Sequence, residues 1–119
     1  GDGKILRTLY DTYKVGKFVG IDRGFLPYTL SRIRHRKIGS ISFQRKDFFV
    51  VDLSPATAVV TYLFPKLMDA LLPKLKKELK SGTRLYSIDF HFKEKIPLEK
   101  IVLSNIKGVR GRTVYVYEF

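Results

Sequence analysis

The sequence predicts an α/β fold, in which a mostly parallel sheet carries helices on both faces and the chain closes on an antiparallel hairpin. Short apolar runs typical of buried strands alternate with stretches of helical periodicity, and such alternation places parallel strands side by side. The 119 residues, of which 45% are hydrophobic, can form one domain with a real core. We therefore expect a single domain over residues 1–119.

Two amphipathic helices are predicted in the first third of the chain. The first covers residues 4–14, and Gly16 suits its C-terminal exit. The second covers residues 24–37, with Pro27 in its first turn. Its apolar side chains are expected to face inward, and these are Leu26, Leu30 and Ile33.

A third helix is predicted to begin at Pro65 and to end before Ser81 and Gly82. Pro73 lies inside this stretch, and it either kinks one helix or occupies the first position of a second. The predicted strands are residues 17–22, 41–43, 57–63 and 83–90, and the closing hairpin joins residues 101–106 to residues 112–119.

Composition excludes several classes of site. The chain has no cysteine, which excludes disulfides, thiolate zinc sites and cysteine nucleophiles. No apolar run reaches the length of a membrane span and no signal peptide is visible, so a cytoplasmic protein is expected. His35 and His91 stand alone in the sequence and are expected to be surface residues; with no metal-ligand spacing, no metal is expected.

In a sheet of this kind, ligands bind at the carboxyl ends of the strands. Gly1, Asp2 and Gly3 stand just before the first predicted helix, where glycine backbone and free helix N–H groups can approach a ligand. Asp22 follows that glycine loop by nineteen residues and ends a predicted strand. An acid at this spacing reaches ribose hydroxyls, so these residues favour nucleoside binding.

The next two predicted strands also end in candidate ligand-binding residues. Asp47 can accept a hydrogen bond from an adenine amino group, and the ring of Phe48 can cover the base. A core position is the competing interpretation for Phe48, and it is preferred for Phe49. At the end of the 57–63 strand, the Tyr62 hydroxyl or ring face could orient an acceptor nitrogen.

The order of these motifs resembles the class I S-adenosylmethionine-dependent methyltransferases, which have a Rossmann-like fold. The motifs are Gly-Asp-Gly, Val-Gly-Ile-Asp, Lys-Asp-Phe-Phe, Val-Val-Thr-Tyr-Leu-Phe-Pro and Leu-Lys-Ser-Gly-Thr-Arg-Leu-Tyr-Ser-Ile-Asp-Phe. More narrowly, the chain is similar to the small protein-lysine methyltransferases of archaea and their mitochondrial relatives. The narrower likeness rests on residues 61–63, on Leu-Pro-Lys-Leu at residues 72–75 with the stretch that follows, and on Ser87 with Asp89-Phe90.

The resemblance implies S-adenosylmethionine as cofactor and a protein lysine as methyl acceptor. It implies that Gly1, Asp2 and Gly3 approach the methionine and ribose part of the cofactor, and that Asp22 holds the ribose hydroxyls. It places Asp47 and Phe48 against adenine. The residues implied to line the methyl-transfer site are Thr61, Tyr62 and Leu63, with Thr61 also touching the cofactor.

Two departures from the family pattern stand out. Ile88 occupies a position where these relatives usually carry histidine, so no role is carried over to it. The family also places a buried strand, and the first glycine of its loop, before Gly1. The domain is therefore expected to be N-terminally incomplete: either residues precede Gly1, or the chain is a fragment that pairs with something else.

Other classes of function remain open on the sequence. A net charge of +12 and the stretch Arg32-Ile33-Arg34-His35-Arg36-Lys37 fit a basic RNA-binding protein or an RNA methyltransferase. Charges on consecutive residues point around a helix, however, which favours an ordinary solvated face. An inactive, truncated methyltransferase domain is a further alternative.

Overall fold

The computed structural model describes Arg7, Asp11, residues 16–102 and residues 113–119. The chain forms two compact units, Gly1–Val51 and Asp52–Phe119. Arg7 and Asp11 are helical, and their side chains form a salt bridge of 3.0 Å one turn apart, which agrees with the predicted first helix at these two positions. The remainder of that helix and the predicted glycine loop lie outside the described residues.

The first unit contains a parallel strand–helix–strand arrangement. Strand β1 (Phe18–Asp22) is followed by helix α1 (Phe25–His35) and strand β2 (Ile41–Arg45). The two strands pair in parallel, from Phe18 opposite Ile41 to Asp22 opposite Arg45. The carboxyl ends of β1 and β2 therefore lie at the same edge, which is the arrangement that the alternating pattern predicts.

Helix α1 packs with a different face from the one predicted. The side chains predicted to face inward are exposed in the structure, and these are Leu26, Leu30 and Ile33. The buried residues are Ser31 and His35, and the His35 ring stacks on Phe43 of β2 at 5.7 Å between centroids. The helix thus packs on β2 through Ser31 and His35. The prediction that Leu26, Leu30 and Ile33 face inward is wrong.

The second unit holds a mixed sheet of four strands. The elements are β3 (Ala58–Thr61), α2 (Pro65–Glu78), β4 (Arg84–Ile88), β5 (Glu99–Val102) and β6 (Thr113–Glu118). The order across the sheet is β3-β4-β6-β5. Strands β3 and β4 are parallel, whereas β6 is antiparallel to both of its neighbours. The pairing of β5 with β6 confirms the predicted closing hairpin.

Helix α2 covers the core of the second unit as one continuous helix, with Pro73 inside it. The helix is amphipathic, and one stripe of it is buried. Its buried residues are Met68, Leu71, Leu72 and Leu75. Leu85 of β4 and Val116 and Tyr117 of β6 complete the interior.

The described residues therefore have a mixed α/β architecture. Over those ranges, no helix is both long and apolar enough to cross a bilayer. The same ranges contain no group of three or more acidic or histidine side chains that could hold a metal ion.

Candidate functional site

Two carboxylates lie at the carboxyl edge of the first unit. Asp22 is the last residue of β1, and Asp47 follows the end of β2 by two residues. Since Asp22 pairs in register with Arg45, the two acids lie at the same edge. Arg23 Nη1 is 3.6 Å from Asp47 Oδ2, which links the turn after β1 to the turn after β2. The structure thus brings together two of the residues that the sequence identified.

The Asp22 carboxylate also holds the entry to helix α1. Its Oδ1 accepts a hydrogen bond of 2.7 Å from the Gly24 backbone N–H. Partial burial acts to raise the pKa of this carboxyl, whereas the hydrogen bond from Gly24 to its ionised form acts to lower that pKa. Asp22 is therefore a hydrogen-bond acceptor at neutral pH.

Gly24 was not identified by sequence reasoning as part of this site. A Cβ at this position would lie 3.0 Å from Pro27 Cδ and 3.2 Å from Asp22 Oδ1, tighter than ordinary van der Waals contact. Glycine here lets the backbone N–H reach the carboxylate. The only signal in the sequence is the short spacing Asp-Arg-Gly-Phe, which is also typical of an ordinary turn.

Asp47 forms the turn that presents Phe48. Its Oδ1 accepts the Phe49 N–H at 3.0 Å, and its carbonyl accepts the Val50 N–H at 3.0 Å. Phe48 is half-buried and its ring centroid is 4.8 Å from that of Phe49. Phe49 is exposed, so the core position preferred for it is wrong. Phe48 remains available as a partly exposed ring beside the two carboxylates.

In the second unit, the end of β3 presents side chains to alternate sides. Thr61 is 7% exposed, and its hydroxyl donates to Met68 Sδ at 3.4 Å, so this side chain faces the core. Tyr62 is 54% exposed and Leu63 is half-buried. Of the three predicted methyl-transfer residues, Tyr62 is the one whose side chain is most accessible at this strand end, while Thr61 can offer its backbone there.

Three aromatic rings meet at the carboxyl ends of β3 and β4, and we call them the aromatic cluster: Tyr62, Phe64 and Phe90. The Phe90 centroid lies 5.8 Å from that of Tyr62 and 5.4 Å from that of Phe64. Phe64 is 70% exposed. Sequence reasoning did not assign Phe64 and Phe90 to the site, although an aromatic residue soon after each of two parallel strands is a signal that could have found them.

The residues around Phe90 hold it in place. Ser87 is fully buried, and its hydroxyl donates to the Phe90 carbonyl. Asp89 has φ +65°; its N–H donates to the Thr113 carbonyl at 2.7 Å, and its Oδ1 accepts the Thr113 N–H at 3.1 Å. Ile88, to which the sequence resemblance assigned no role, is half-buried in β4 opposite Val114.

The predicted site residues therefore fall into three sets. Asp22, Asp47 and Phe48 lie together in the first unit, and Thr61, Tyr62 and Leu63 are consecutive at the end of β3 in the second unit. The predicted loop residues Gly1, Asp2 and Gly3 lie outside the described residues. His91 is exposed as predicted, whereas His35 is only 5% exposed, so the prediction of a surface position for His35 is wrong.

Comparisons with known proteins all point to methyltransferases, with two different acceptors. Residues 1–99 match a family described as the ANTKMT methyltransferase domain. The chain is similar to a protein-lysine N-methyltransferase of Saccharolobus islandicus (strain REY15A), with 36% identity over 120 residues, covering 98% of this chain and 73% of the relative. Among solved structures, it is similar to an RNA methyltransferase from Salinibacter ruber in complex with S-adenosyl-L-homocysteine. The TM-score is 0.85 at 29% identity, covering 99% of this chain and 74% of the other.

Proposed function

Because the chain belongs to the ANTKMT methyltransferase domain family, we propose that it transfers a methyl group from S-adenosylmethionine to the side-chain amine of a protein lysine. The observation that carries the proposal is the pair of carboxylates, Asp22 and Asp47, at one edge of a parallel strand pair. The relative named as a protein-lysine N-methyltransferase supports the acceptor. The similar structure solved with S-adenosyl-L-homocysteine supports the cofactor.

The donor set of the first unit fits a nucleoside. Asp22, ionised at neutral pH, can accept from the ribose hydroxyls, and Asp47 can accept from the adenine amino group. The half-buried Phe48 ring can cover one face of the base. The sulfonium of S-adenosylmethionine supplies an activated methyl group. Roles for Gly1, Asp2 and Gly3 in the same site remain predictions from the family likeness.

The aromatic cluster fits the acceptor side. A lysine amine attacks only when it is neutral, and an apolar, partly dehydrated surrounding lowers the pKa of an amine. Tyr62 and Phe64 are the exposed members of the cluster, so their ring faces can orient the lysine stem and its nitrogen. Holding the amine in line with the methyl group can supply roughly 7–11 kcal/mol of the barrier.

We also propose that the two units form one domain with a Rossmann-like, mostly parallel sheet and helices on both faces. The likeness that covers 99% of the chain at a TM-score of 0.85 supports this finer description. The cytoplasmic location expected from the sequence stays a prediction.

A transfer assay tests the activity and separates two acceptor classes. The protein is incubated with S-adenosylmethionine carrying a labelled methyl group and with a crude mixture of proteins and RNA. We expect the label to resist ribonuclease, to be lost from the macromolecular fraction on proteolysis, and to be recovered as methyl-lysine after acid hydrolysis. Label released by ribonuclease would instead identify an RNA methyltransferase, the second candidate, which the likeness to the Salinibacter ruber RNA methyltransferase favours.

A further inference from the structure

We infer that a cleft between α1 and β2 binds a backbone phosphate of a single-stranded nucleic acid. The cleft has a volume of about 530 Å³ and lies entirely within the first unit. The lining residues that carry the argument are Tyr28, Arg32, His35, Arg36 and Ser42. None of the described residues that line it is acidic. We call it the α1–β2 cleft.

His35 is the first observation that points to a ligand. The residue is 5% exposed, its ring stacks on that of Phe43, and within the described part of the chain neither Nδ1 nor Nε2 has a hydrogen-bond partner. A buried polar group left without a partner costs about 1–3 kcal/mol. His35 lines the cleft, but both ring nitrogens are closed to solvent. A turn of the ring toward the cleft would therefore let its N–H donate to an anionic oxygen of a ligand.

Two arginines supply positive charge at the same cleft. Arg32 is held by Tyr28: its Nη1 donates to the tyrosine hydroxyl at 3.1 Å, and its guanidinium lies 5.6 Å from the ring centroid. Arg36 follows one turn later and is exposed. Basic residues at the end of a helix also complement its dipole, but that effect does not explain a buried imidazole with two unpaired nitrogens.

The chemistry of the lining favours a phosphate carried on a nucleic acid. Phosphate oxygens only accept hydrogen bonds, and guanidinium groups bind them in a fork. Lys37 extends the positive charge beyond the cleft, and the whole chain carries a net charge of +12. Positive charge of this kind attracts the phosphates of a nucleic-acid backbone. The half-buried Tyr28 ring at the cleft offers a surface on which an unpaired base can stack.

The α1–β2 cleft is separate from the proposed cofactor site. Ile41 and Ser42, at the amino end of β2, line the cleft, whereas Asp22 and Asp47 lie at the carboxyl edge of the same strand pair. Phe43, in the middle of β2, also lines the cleft, but none of the described lining residues is one of the proposed cofactor-binding residues. Binding at the cleft can therefore be measured independently of methyl transfer.

Histidine NMR provides a direct test, because the chain has two histidines. The ring resonances of His35 and His91 are followed during titration with inorganic phosphate and then with a short oligouridine. We expect both ligands to shift the His35 resonances and to leave those of the exposed His91 in place. Resonances of His35 that do not move, or equal shifts at both histidines, would overturn the inference.

A salt series tests the nucleic-acid commitment. Binding of a labelled oligouridine is measured by fluorescence anisotropy for the wild type, for Arg32→Gln with Arg36→Gln, and for a control that removes the same charge elsewhere, Lys77→Gln with Arg84→Gln. We expect the cleft variant to reduce the steepness of the negative slope of log K against log salt by roughly 0.7, the value for one phosphate of a single strand that is no longer neutralised. Circular dichroism checks that both variants are folded.

Three results would overturn the proposal. One is an equal fall in the slope for the control variant, which would indicate a general charge effect. Another is a phosphate-dependent shift at His35 without any change in oligonucleotide binding by the cleft variant, which would indicate a small anion as the ligand. The last is binding to phosphatidylserine vesicles, but not to oligouridine, that depends on Arg32 and Arg36.

Discussion

Three aspartates in the described part of the chain share one local geometry. Asp22, Asp47 and Asp52 each accept the backbone N–H of the residue two positions later, at 2.7, 3.0 and 3.0 Å respectively. Only the first two lie at the end of the β1–β2 pair. The turn itself is therefore no evidence of ligand binding, and the position in the sheet is what distinguishes Asp22 and Asp47. Asp52 provides a natural control for both.

The first prediction compares Asp22→Asn with Asp52→Asn. Asparagine keeps an oxygen that can accept the turn N–H, so both variants should fold. A hydrogen bond to a charged group contributes about 1.5–3 kcal/mol, so Asp22→Asn should weaken binding of S-adenosylmethionine by roughly 10- to 100-fold. Asp52→Asn should leave it within about twofold. Titration calorimetry measures both, and similar affinities for the two variants would argue against the ribose-binding role of Asp22.

The second prediction concerns the ring of Tyr62. Its removal in Tyr62→Ala should lower kcat/KM for the protein acceptor by about fivefold or more, the equivalent of a ring contact of about 1 kcal/mol. The affinity for S-adenosylmethionine should not change. Ile96→Ala, which removes another exposed apolar side chain of the second unit, is the control for general surface effects. Methyl transfer by Tyr62→Ala at the wild-type rate would remove Tyr62 from the acceptor site.

The third prediction concerns Tyr117, a buried residue whose hydroxyl accepts the Phe92 N–H at 3.0 Å. Burial raises the pKa of this phenol above its ordinary value of 10.0. Because the pKa of this phenol is higher in the folded than in the unfolded protein, its contribution to stability is fully present below pH 10. That contribution is lost as the pH rises from 10 through the folded pKa.

Tyr117→Phe should therefore destabilise the protein at neutral pH by about 1–3 kcal/mol, since the buried Phe92 N–H loses its acceptor. The difference in free energy of unfolding between the variant and the wild type should become smaller at about pH 11. At that pH, folding of the wild type requires a protonated phenol at Tyr117, whereas the variant has no phenol to protonate. Urea unfolding at the two pH values measures both differences. A gap that stays constant would show that ionisation of Tyr117 has no part in alkaline unfolding.

Part of the site can be located from the sequence for a definite reason. Parallel strands put their carboxyl ends at one edge, so the acids after β1 and β2 can be paired from the order of the elements alone. The direction of the Thr61 side chain toward Met68 depends on which face of β3 is covered by α2, and the approach of Phe90 to Tyr62 depends on pairing between distant strands. Neither is encoded in local periodicity.

The elements can be predicted to within two or three residues at most ends, because strands and helices begin and end at glycines, prolines and polar residues. Strand β1 is expected over residues 17–22 and is found at Phe18–Asp22. Helix α1 shows what hydrophobic periodicity alone does not determine. The stripe of Leu26, Leu30 and Ile33 indicates a helix correctly, but periodicity does not state which neighbour covers the stripe. Packing against β2 selects the face of Ser31 and His35 instead.

The fourth prediction tests the proline inside helix α2. Pro73 has no N–H for the carbonyl of Asp69, one turn earlier, and yet the helix continues from Pro65 to Glu78. Pro73→Ala should therefore raise the free energy of unfolding, by up to about 3 kcal/mol. Pro65→Ala, at the start of the same helix where proline is well tolerated, should bring no such gain. Thermal unfolding of the two variants tests this prediction. A loss of stability for Pro73→Ala would show that packing around Pro73 stabilises the protein by more than the missing hydrogen bond costs.

At the scale of the whole molecule, the cofactor should stabilise the folded state. A ligand present at 100 times its dissociation constant raises the free energy of unfolding by about 2.7 kcal/mol. The fifth prediction is that S-adenosylmethionine produces this gain and slows amide exchange in both units, at the turns after β1 and β2 and at the end of β3. Hydrogen exchange with mass spectrometry resolves these segments. Protection confined to one unit would contradict the proposal that the two units form one methyltransferase domain.

The strand order of the second unit also has a consequence for how the chain folds. Strand β6 follows β5 in sequence but lies between β4 and β5 in the sheet. Within the described strands, β5 pairs with β6 alone, so β5 has no partner on the ribosome until β6 has been synthesised. The pairing of β6 with β4, from Arg84 opposite Glu118 to Ile88 opposite Val114, is less local than the β5–β6 hairpin, and non-local pairing slows folding. Unpaired strand edges are prone to association in the meantime. We therefore expect nascent chains that stop before β6 to depend on chaperones. Once the β6 segment has emerged from the ribosome, it can pair with both β4 and β5 and complete this sheet.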